Sequence, residues 1–184
     1  QDLLGLGIVL AGLLVLNFNL TDRLDVFSDD DDLYWGFAMD YLKGKYRGPD
    51  DAVIYCLWQL GIQMLTQDPI LTYYINYVAM VSLPCIALYA LLRSLRVNVW
   101  VSVWLVLLFM FSGLNFPLLP KLTHFTVLFL GAGLAISNFA SGNLVKQLMI
   151  AGVTVWLASY IRPEMYVACG LIILWLLYIS YQRK

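Results

Sequence analysis

Four consecutive aspartates, Asp29, Asp30, Asp31 and Asp32, are the densest group of reactive side chains in this sequence. They follow shortly after a long apolar segment, and nine of the chain's twelve acidic residues lie between positions 22 and 51. Burying four adjacent like charges in hydrocarbon would be very costly, so the run must face water, a cation or a cationic group. Neighbouring carboxylates raise one another's pKa, which suits a general base. The run therefore predicts either a carboxylate site or only a solvated loop.

A second polar group, Arg162-Pro163-Glu164, interrupts the apolar carboxyl-terminal part of the chain. Proline is favourable in the first turn of a helix, and Glu164 can interact well with the start of that helix. The planar guanidinium of Arg162 is well shaped to bind a phosphate. Two interpretations stay open, a helix cap beside an interfacial arginine and a phosphate-binding site.

Lys121 and His124 stand near the start of the apolar segment 118–139. Charged groups at the end of a membrane helix often only extend to the interface. A lysine and a histidine one turn apart could also bind a lipid phosphate. His124 is the single histidine of the chain, so no His/Cys zinc cluster is predicted.

The composition predicts an integral membrane protein. Of the 184 residues, 61% are hydrophobic and 12% are charged, whereas a soluble domain carries roughly 25% charged residues. The absence of a dense basic patch argues against nucleic-acid binding. The three cysteines lie in apolar segments and are odd in number, so they predict buried or lipid-facing thiols and no disulfide framework.

The apolar segments predict an all-α polytopic membrane protein with about six transmembrane helices. They cover residues 3–20, 70–92, 97–111, 118–139, 144–161 and 165–181. Two interfacial helices are predicted between the first two spans: an amphipathic helix within the acidic loop 21–51, ended by Gly44, and a short interfacial or re-entrant helix at 52–66. We expect residues 1–184 to form a single transmembrane module that belongs to a longer chain.

The number of spans decides which polar groups share a side of the membrane. If 52–66 does not cross, the acidic loop, Lys121, His124 and the Arg162-Pro163-Glu164 group lie on one side, opposite a basic side that includes Arg93. If it crosses, nine basic residues lie on the side of the acidic loop and only Lys121 and Arg162 lie opposite, an arrangement that the positive-inside rule favours. The short length of 52–66 and its aspartate flanks favour the first arrangement, which we adopt.

Two motifs in the acidic loop resemble the first extracytoplasmic loop of the GT-C superfamily of membrane glycosyltransferases. The superfamily includes protein mannosyltransferases and family-39-type bacterial aminoarabinose transferases. Its loop commonly carries an acidic pair, then an alanine, and a glycine six positions later; Asp30, Asp31, Ala38 and Gly44 occupy these positions here. The second acidic position, often Glu in the superfamily, is Asp31, and superfamily members are usually longer than this chain. Arg162-Pro163-Glu164 is similar to a segment before a later span.

The resemblance implies an inverting transferase that moves a sugar from a polyprenyl-phosphate donor to an acceptor on the extracytoplasmic face. Asp31 or Asp30 would be the catalytic base. The donor and its phosphate would be bound by residues of several segments, namely Arg162 first, then Lys121, His124, Glu164 and Tyr34. The clustered carboxylates Asp29 and Asp32 could hold a divalent metal, and no other cofactor is implied. The expected location is a bacterial inner membrane or an endoplasmic-reticulum-type membrane, among lipids and other membrane subunits.

The main alternative is a non-catalytic membrane subunit whose acidic loop binds a partner or cations. A small transporter is a weaker alternative, because no predicted span carries a charged residue near its middle.

Overall fold

The structure is a computed structural model that describes residues 1–18, 29–45, 52–113, 122–139 and 144–162, with single positions at 167, 170 and 174. At residues 29–35 and 144 it describes the backbone alone. Seven helices occupy the described ranges: α1 (Asp2–Leu16), α2 (Asp29–Leu42), α3 (Val53–Thr66), α4 (Pro69–Ser94), α5 (Val99–Met110), α6 (Leu122–Phe139) and α7 (Leu144–Ser159). No strand occurs in these ranges, and the predicted all-α class is confirmed.

Two of the described helices are long and apolar enough to cross a membrane, α4 with 26 residues and α6 with 18. Helices α1, α5 and α7 contain 15, 12 and 16 residues. At about 1.5 Å per residue they are shorter than a hydrocarbon core of about 30 Å. The six predicted spans are therefore not confirmed as a set. The sixth, 165–181, lies outside the continuously described ranges.

Side chains form hydrogen bonds at several helix ends. The amide Nδ2 of Asn17, the residue after α1, donates to the carbonyl of Leu13 at 2.8 Å, which also accepts from the backbone N–H of Asn17. Gly44 follows α2 with a φ of +72°, in the left-handed region that glycine adopts readily, as the sequence predicts for a helix end. Ser112 Oγ donates to the carbonyl of Phe109 at 2.7 Å beside the end of α5.

Helices α4 and α6 form the central pair and run parallel. A Cβ built on Gly131 of α6 would lie 3.3 Å from Cβ of Ala87 in α4, and Asn138 Nδ2 donates to Ser94 Oγ at 3.2 Å. Because the residue numbers rise together along both helices, α4 and α6 begin at the same end of the bundle. The missing side chain of Gly131 allows the two helices to approach closely.

The neighbouring helices run against this pair. Helix α1 is antiparallel to α4, since Tyr89 Oη donates to the carbonyl of Asp2 at 3.1 Å and Asn17 Nδ2 donates to Ser82 Oγ at 3.0 Å. Helix α7 is antiparallel to α6, since Ser137 Oγ donates to the carbonyl of Gln147 at 2.8 Å and Gly133 lies against Thr154. Helix α7 therefore ends near the start of α6, whereas α1 ends beside Ser82, near the middle of α4.

The two ends of the bundle differ in chemistry. At one, which we call the Arg93 end, Arg93 Nε lies 2.7 Å from Asp2 Oδ1, and the side chains of Arg96 and Lys146 are exposed. The opposite end, where α4 and α6 begin, carries α3, and we call it the α3 end. Helix α3 packs antiparallel along the first half of α4, and Thr72 Oγ1 donates to Gln63 Oε1 at 2.6 Å between them.

Much of the outer surface of the bundle is apolar. On α5 the exposed side chains include Val101, Trp104, Leu105 and Leu108, which follow the spacing of one helix face. The buried face of α5 contains the fully buried Ser102, whose Oγ donates to the carbonyl of Asn98 at 3.0 Å. A polar group inside and large apolar groups outside are typical of a helix that faces lipid.

The described cysteines match the prediction. Cys56 in α3 and Cys85 in α4 are fully buried, and Cys85 Sγ donates to the carbonyl of Val81 at 3.3 Å. Cys169 lies outside the described residues.

Candidate functional site

Helix α3 touches the segments that carry the predicted site residues, and one of its faces packs on α6. The rings of Tyr55 and Trp58 lie 5.4 and 5.7 Å from the ring of Phe125, measured between centroids. Tyr55 and Phe125 belong to one buried cluster with Met80 of α4 and Ile161, two residues after α7. The start of α6 and the end of α7 therefore meet at the first turns of α3.

The other face of α3 packs on α2. Ala38 is fully buried in a cluster with Cys56 and Leu60 of α3, and Phe37 and Tyr41 pack at its edge. The alanine position of the motif is thus a helix contact, where a small side chain lets α2 approach α3.

The four aspartates are the first four residues of α2. Asp30 and Asp31 stand seven residues, or nearly two full turns, before Phe37 and Ala38, so their backbone positions share the helix face that packs on α3. The same periodicity gives Tyr34, one turn before Ala38, a position on this face. Asp29 and Asp32 fall seven and four residues before Gly36, which is exposed. The side chains of residues 29–35 lie outside the described part of the structure.

His124 and Arg162 are brought to the same end of the bundle. His124 lies in the first turn of α6 and is 4% exposed, directly before the clustered Phe125. Arg162 follows Ile161, is half-buried, and its backbone N–H donates to the carbonyl of Ala158 at 3.1 Å. Lys121 and Glu164, also predicted to bind the donor phosphate, lie outside the described residues.

This arrangement can bind an anion beside a set of carboxylates. A guanidinium forms strong, charge-assisted hydrogen bonds to phosphate oxygens, and an imidazole can add a hydrogen bond. Helix α3 connects the carboxylate helix α2 to this place, because α3 contacts both α2 and the start of α6. The geometry therefore groups the predicted acid, histidine and arginine segments around one short helix.

Comparisons with protein-family models, with curated proteins and with solved structures find no match to this chain. The likeness to GT-C glycosyltransferases therefore depends on the motifs in the sequence alone. The structural observations that bear on function are the contacts that join α2, α3, α6 and the residues after α7.

The sequence reasoning missed a hydrogen-bonded group inside this site. Asn76 of α4, 2% exposed, accepts a hydrogen bond from Trp58 Nε1 at 2.9 Å and donates one to Tyr55 Oη at 2.9 Å. The available signal was an asparagine between Ile75 and Tyr77 in an otherwise apolar predicted span. Polar residues buried among apolar helices almost always have partners, so this position pointed to a contact with another polar helix face.

Proposed function

We propose that this chain is the transmembrane module of a GT-C-type glycosyltransferase. It transfers a sugar from a polyprenyl-phosphate donor to an acceptor hydroxyl on the extracytoplasmic face, with inversion at the anomeric carbon. The observation that supports the proposal is that α3 contacts both α2, which begins with the aspartates, and the cluster beside His124 and Arg162. A base and a phosphate-binding group are the two functions that this reaction requires of the protein.

In the proposed reaction, Asp31 or Asp30 accepts the proton of the acceptor hydroxyl as its oxygen attacks the anomeric carbon. The bond between that carbon and the phosphate oxygen breaks, and its electron pair leaves with the polyprenyl phosphate. Arg162, assisted by Lys121 and His124, stabilises the negative charge that develops on the leaving phosphate. Glu164 and Tyr34 complete the donor site, and Asp29 and Asp32 could hold a divalent metal.

Helix periodicity favours the middle pair of aspartates as the base. Asp30 and Asp31 share the face of α2 that packs on α3, whereas Asp29 and Asp32 share the face of the exposed Gly36. The base must face the donor whose phosphate is bound near Arg162. It must therefore lie on the side of α2 that packs on α3.

The proposal includes a multi-pass membrane topology. Helices α4 and α6 are long and apolar enough to cross, and the outer face of α5 is apolar. We place α1, α5 and α7 in the bilayer with them, with α2 and α3 on the extracytoplasmic side at the α3 end. The membrane is a bacterial inner membrane or one of the endoplasmic-reticulum type.

Transfer should be measured in lipid nanodiscs with a panel of hexoses and pentoses linked to undecaprenyl phosphate, following release of the lipid phosphate. Asp30→Asn or Asp31→Asn should lower the rate by about 10²-fold or more, the usual contribution of a general base. Asp40→Asn, the same change further along α2, is the matched control and should stay within about threefold. Arg162→Gln should weaken binding of undecaprenyl phosphate about 10- to 100-fold through the loss of charge-assisted hydrogen bonds.

Full transfer by both folded aspartate variants would refute the catalytic role of the acidic pair. Undiminished binding of undecaprenyl phosphate by Arg162→Gln would refute the phosphate site. Both results together would favour the alternative, a non-catalytic subunit whose acidic loop binds a partner or cations.

A further inference from the structure

One buried amide holds two aromatic rings of α3 in place. Asn76 Oδ1 accepts from Trp58 Nε1 and Asn76 Nδ2 donates to Tyr55 Oη, each at 2.9 Å. An indole N–H can only donate, so the orientation of the amide follows from this contact. Because Tyr55 and Trp58 are three residues apart on α3, their rings project from the same helix face.

The same two rings form the surface on which α6 begins. Tyr55 and Trp58 both pack on Phe125, which in turn lies 6.4 Å from Phe129, measured between ring centroids. Phe125 follows His124 directly, and Ile161, in the same cluster, precedes Arg162. A shift of either ring would therefore be transmitted to both residues proposed to bind the phosphate.

We infer that Asn76 is a positioning residue for the phosphate site. It acts through the rings of Tyr55 and Trp58, which fix Phe125 and so the first turn of α6 relative to α3. Asn76 does not itself contact the substrate. The inference rests on the proposed function for its catalytic consequence, but its structural part can be tested without any substrate.

The burial of this group explains why an asparagine is needed here. Tyr55 is fully buried and Asn76 is 2% exposed, so the hydrogen bond between the phenol and the amide is shielded from water. An apolar residue at position 76 would remove one hydrogen bond from each ring, and the rings would move towards other partners. An apolar substitution at position 76 would therefore move the two rings as well as weaken the contact between α3 and α4.

The chain offers a matched control at the same helix pair. Thr72 Oγ1 lies 2.6 Å from Gln63 Oε1 and 2.7 Å from Thr66 Oγ1, and so also joins α3 to α4. These residues are not members of the aromatic cluster. Thr72→Val removes hydrogen bonds between the same two helices without touching the rings that contact Phe125.

The structural test is a distance measurement between α3 and α6 by pulsed electron paramagnetic resonance in nanodiscs. Spin labels are attached at Leu57→Cys and Ile136→Cys, both exposed positions, after the three native cysteines are replaced by alanine. Asn76→Leu should broaden or shift the distance distribution, and Thr72→Val should leave it unchanged. Tyr55→Phe, which keeps the ring and removes only the hydroxyl, should broaden the distance distribution to a smaller extent. It replaces Asn76→Leu as the test variant if Asn76→Leu does not fold.

A distribution in Asn76→Leu and Tyr55→Phe as narrow as in the parent would overturn the inference. Equal broadening by Thr72→Val would also overturn it, because Asn76 would then be one of several equivalent contacts of α3 with α4. In the transfer assay, Asn76→Leu should lower kcat about 10- to 100-fold, the scale expected from a small misplacement of catalytic groups, with Thr72→Val unchanged. If Arg162→Gln leaves phosphate binding intact while the distance result holds, the proposed function fails and the positioning role of Asn76 in the fold stands.

Discussion

The contact between α6 and α7 should be intolerant of a single methyl group at Gly133. A Cβ built on Gly133 would overlap the Cγ2 and Oγ1 atoms of Thr154 and lie 2.8 Å from its Cβ. Thr154 is buried, and its Oγ1 donates to the carbonyl of Ile150 at 2.8 Å, so it cannot turn away without losing that bond. Gly133→Ala should therefore force α7 away from α6.

The size of the effect follows from two opposing contributions. Overpacking a well-packed contact costs about 1 to 3 kcal/mol, and replacing glycine by alanine inside a helix recovers about 0.5 to 1 kcal/mol. The net loss of unfolding free energy is then between about 0 and 2.5 kcal/mol. For a chain of this size, about 2 to 4 °C of Tm corresponds to each kcal/mol, so Tm should fall by up to about 10 °C.

Gly152 in α7 provides the control, because nothing lies within 4 Å of a Cβ built there. Gly152→Ala should keep or raise the Tm measured by thermal unfolding in the same detergent. Gly133→Ala should also weaken binding of undecaprenyl phosphate, since α7 leads into Ile161 and Arg162. A Tm for Gly133→Ala equal to or above that of Gly152→Ala would refute the close packing of α6 on α7.

Three further changes test other parts of the fold by thermal unfolding. Ala38→Leu should lower the free energy of unfolding by about 1 to 3 kcal/mol, because Ala38 is fully buried against α3. Ala38→Gly should lower it by only about 0.5 to 1 kcal/mol. A larger loss in Ala38→Gly than in Ala38→Leu would contradict the α2–α3 contact. Asp68→Ala should lower the free energy of unfolding by about 0.5 to 2 kcal/mol. The reason is that Asp68 Oδ1 caps α4, accepting from the N–H groups of Ile70 and Leu71 at 2.8 and 3.3 Å. In Asp68→Ser, which keeps a capping side chain, most of this loss should be absent. Asp2→Asn should change the free energy of unfolding by less than about 1 kcal/mol, because the Asp2 side chain is 68% exposed in its ion pair with Arg93. A larger loss would mean that this ion pair is shielded from solvent.

The sequence predicted the helices well because apolar runs and their breaks determine them locally. The helix predicted at 52–66 is α3 (Val53–Thr66), and Gly44 follows α2 as expected. Helix ends were harder to predict. Helix α1 ends at Leu16, inside the apolar run 3–20, whereas α4 continues through Pro84 to Ser94.

The pairing of helix faces could not be predicted from hydropathy. In α5 the neighbouring residues Val103 and Trp104 are both apolar, yet Val103 is 4% exposed and Trp104 is 66% exposed. Where buried and exposed residues of a helix are equally apolar, no periodicity distinguishes the two faces. The contacts of Asn76 in the site could not be predicted either. Asn76 is too far along the chain from Tyr55 and Trp58 for a local sequence pattern to connect them.

The parallel pairing of α4 with α6 has a consequence for assembly during synthesis. The contacts of Asn76 with α3 join residues 18 and 21 positions apart, whereas Asn138 and Ser94 are 44 positions apart. Local contacts form first, because less chain entropy is lost in closing a short loop. The acidic helix and the α3–α4 hairpin can therefore assemble while α6 is still being made. His124 and Arg162 then join a surface that is already in place, so a chain released before α6 would hold its carboxylates without the groups proposed to bind the phosphate.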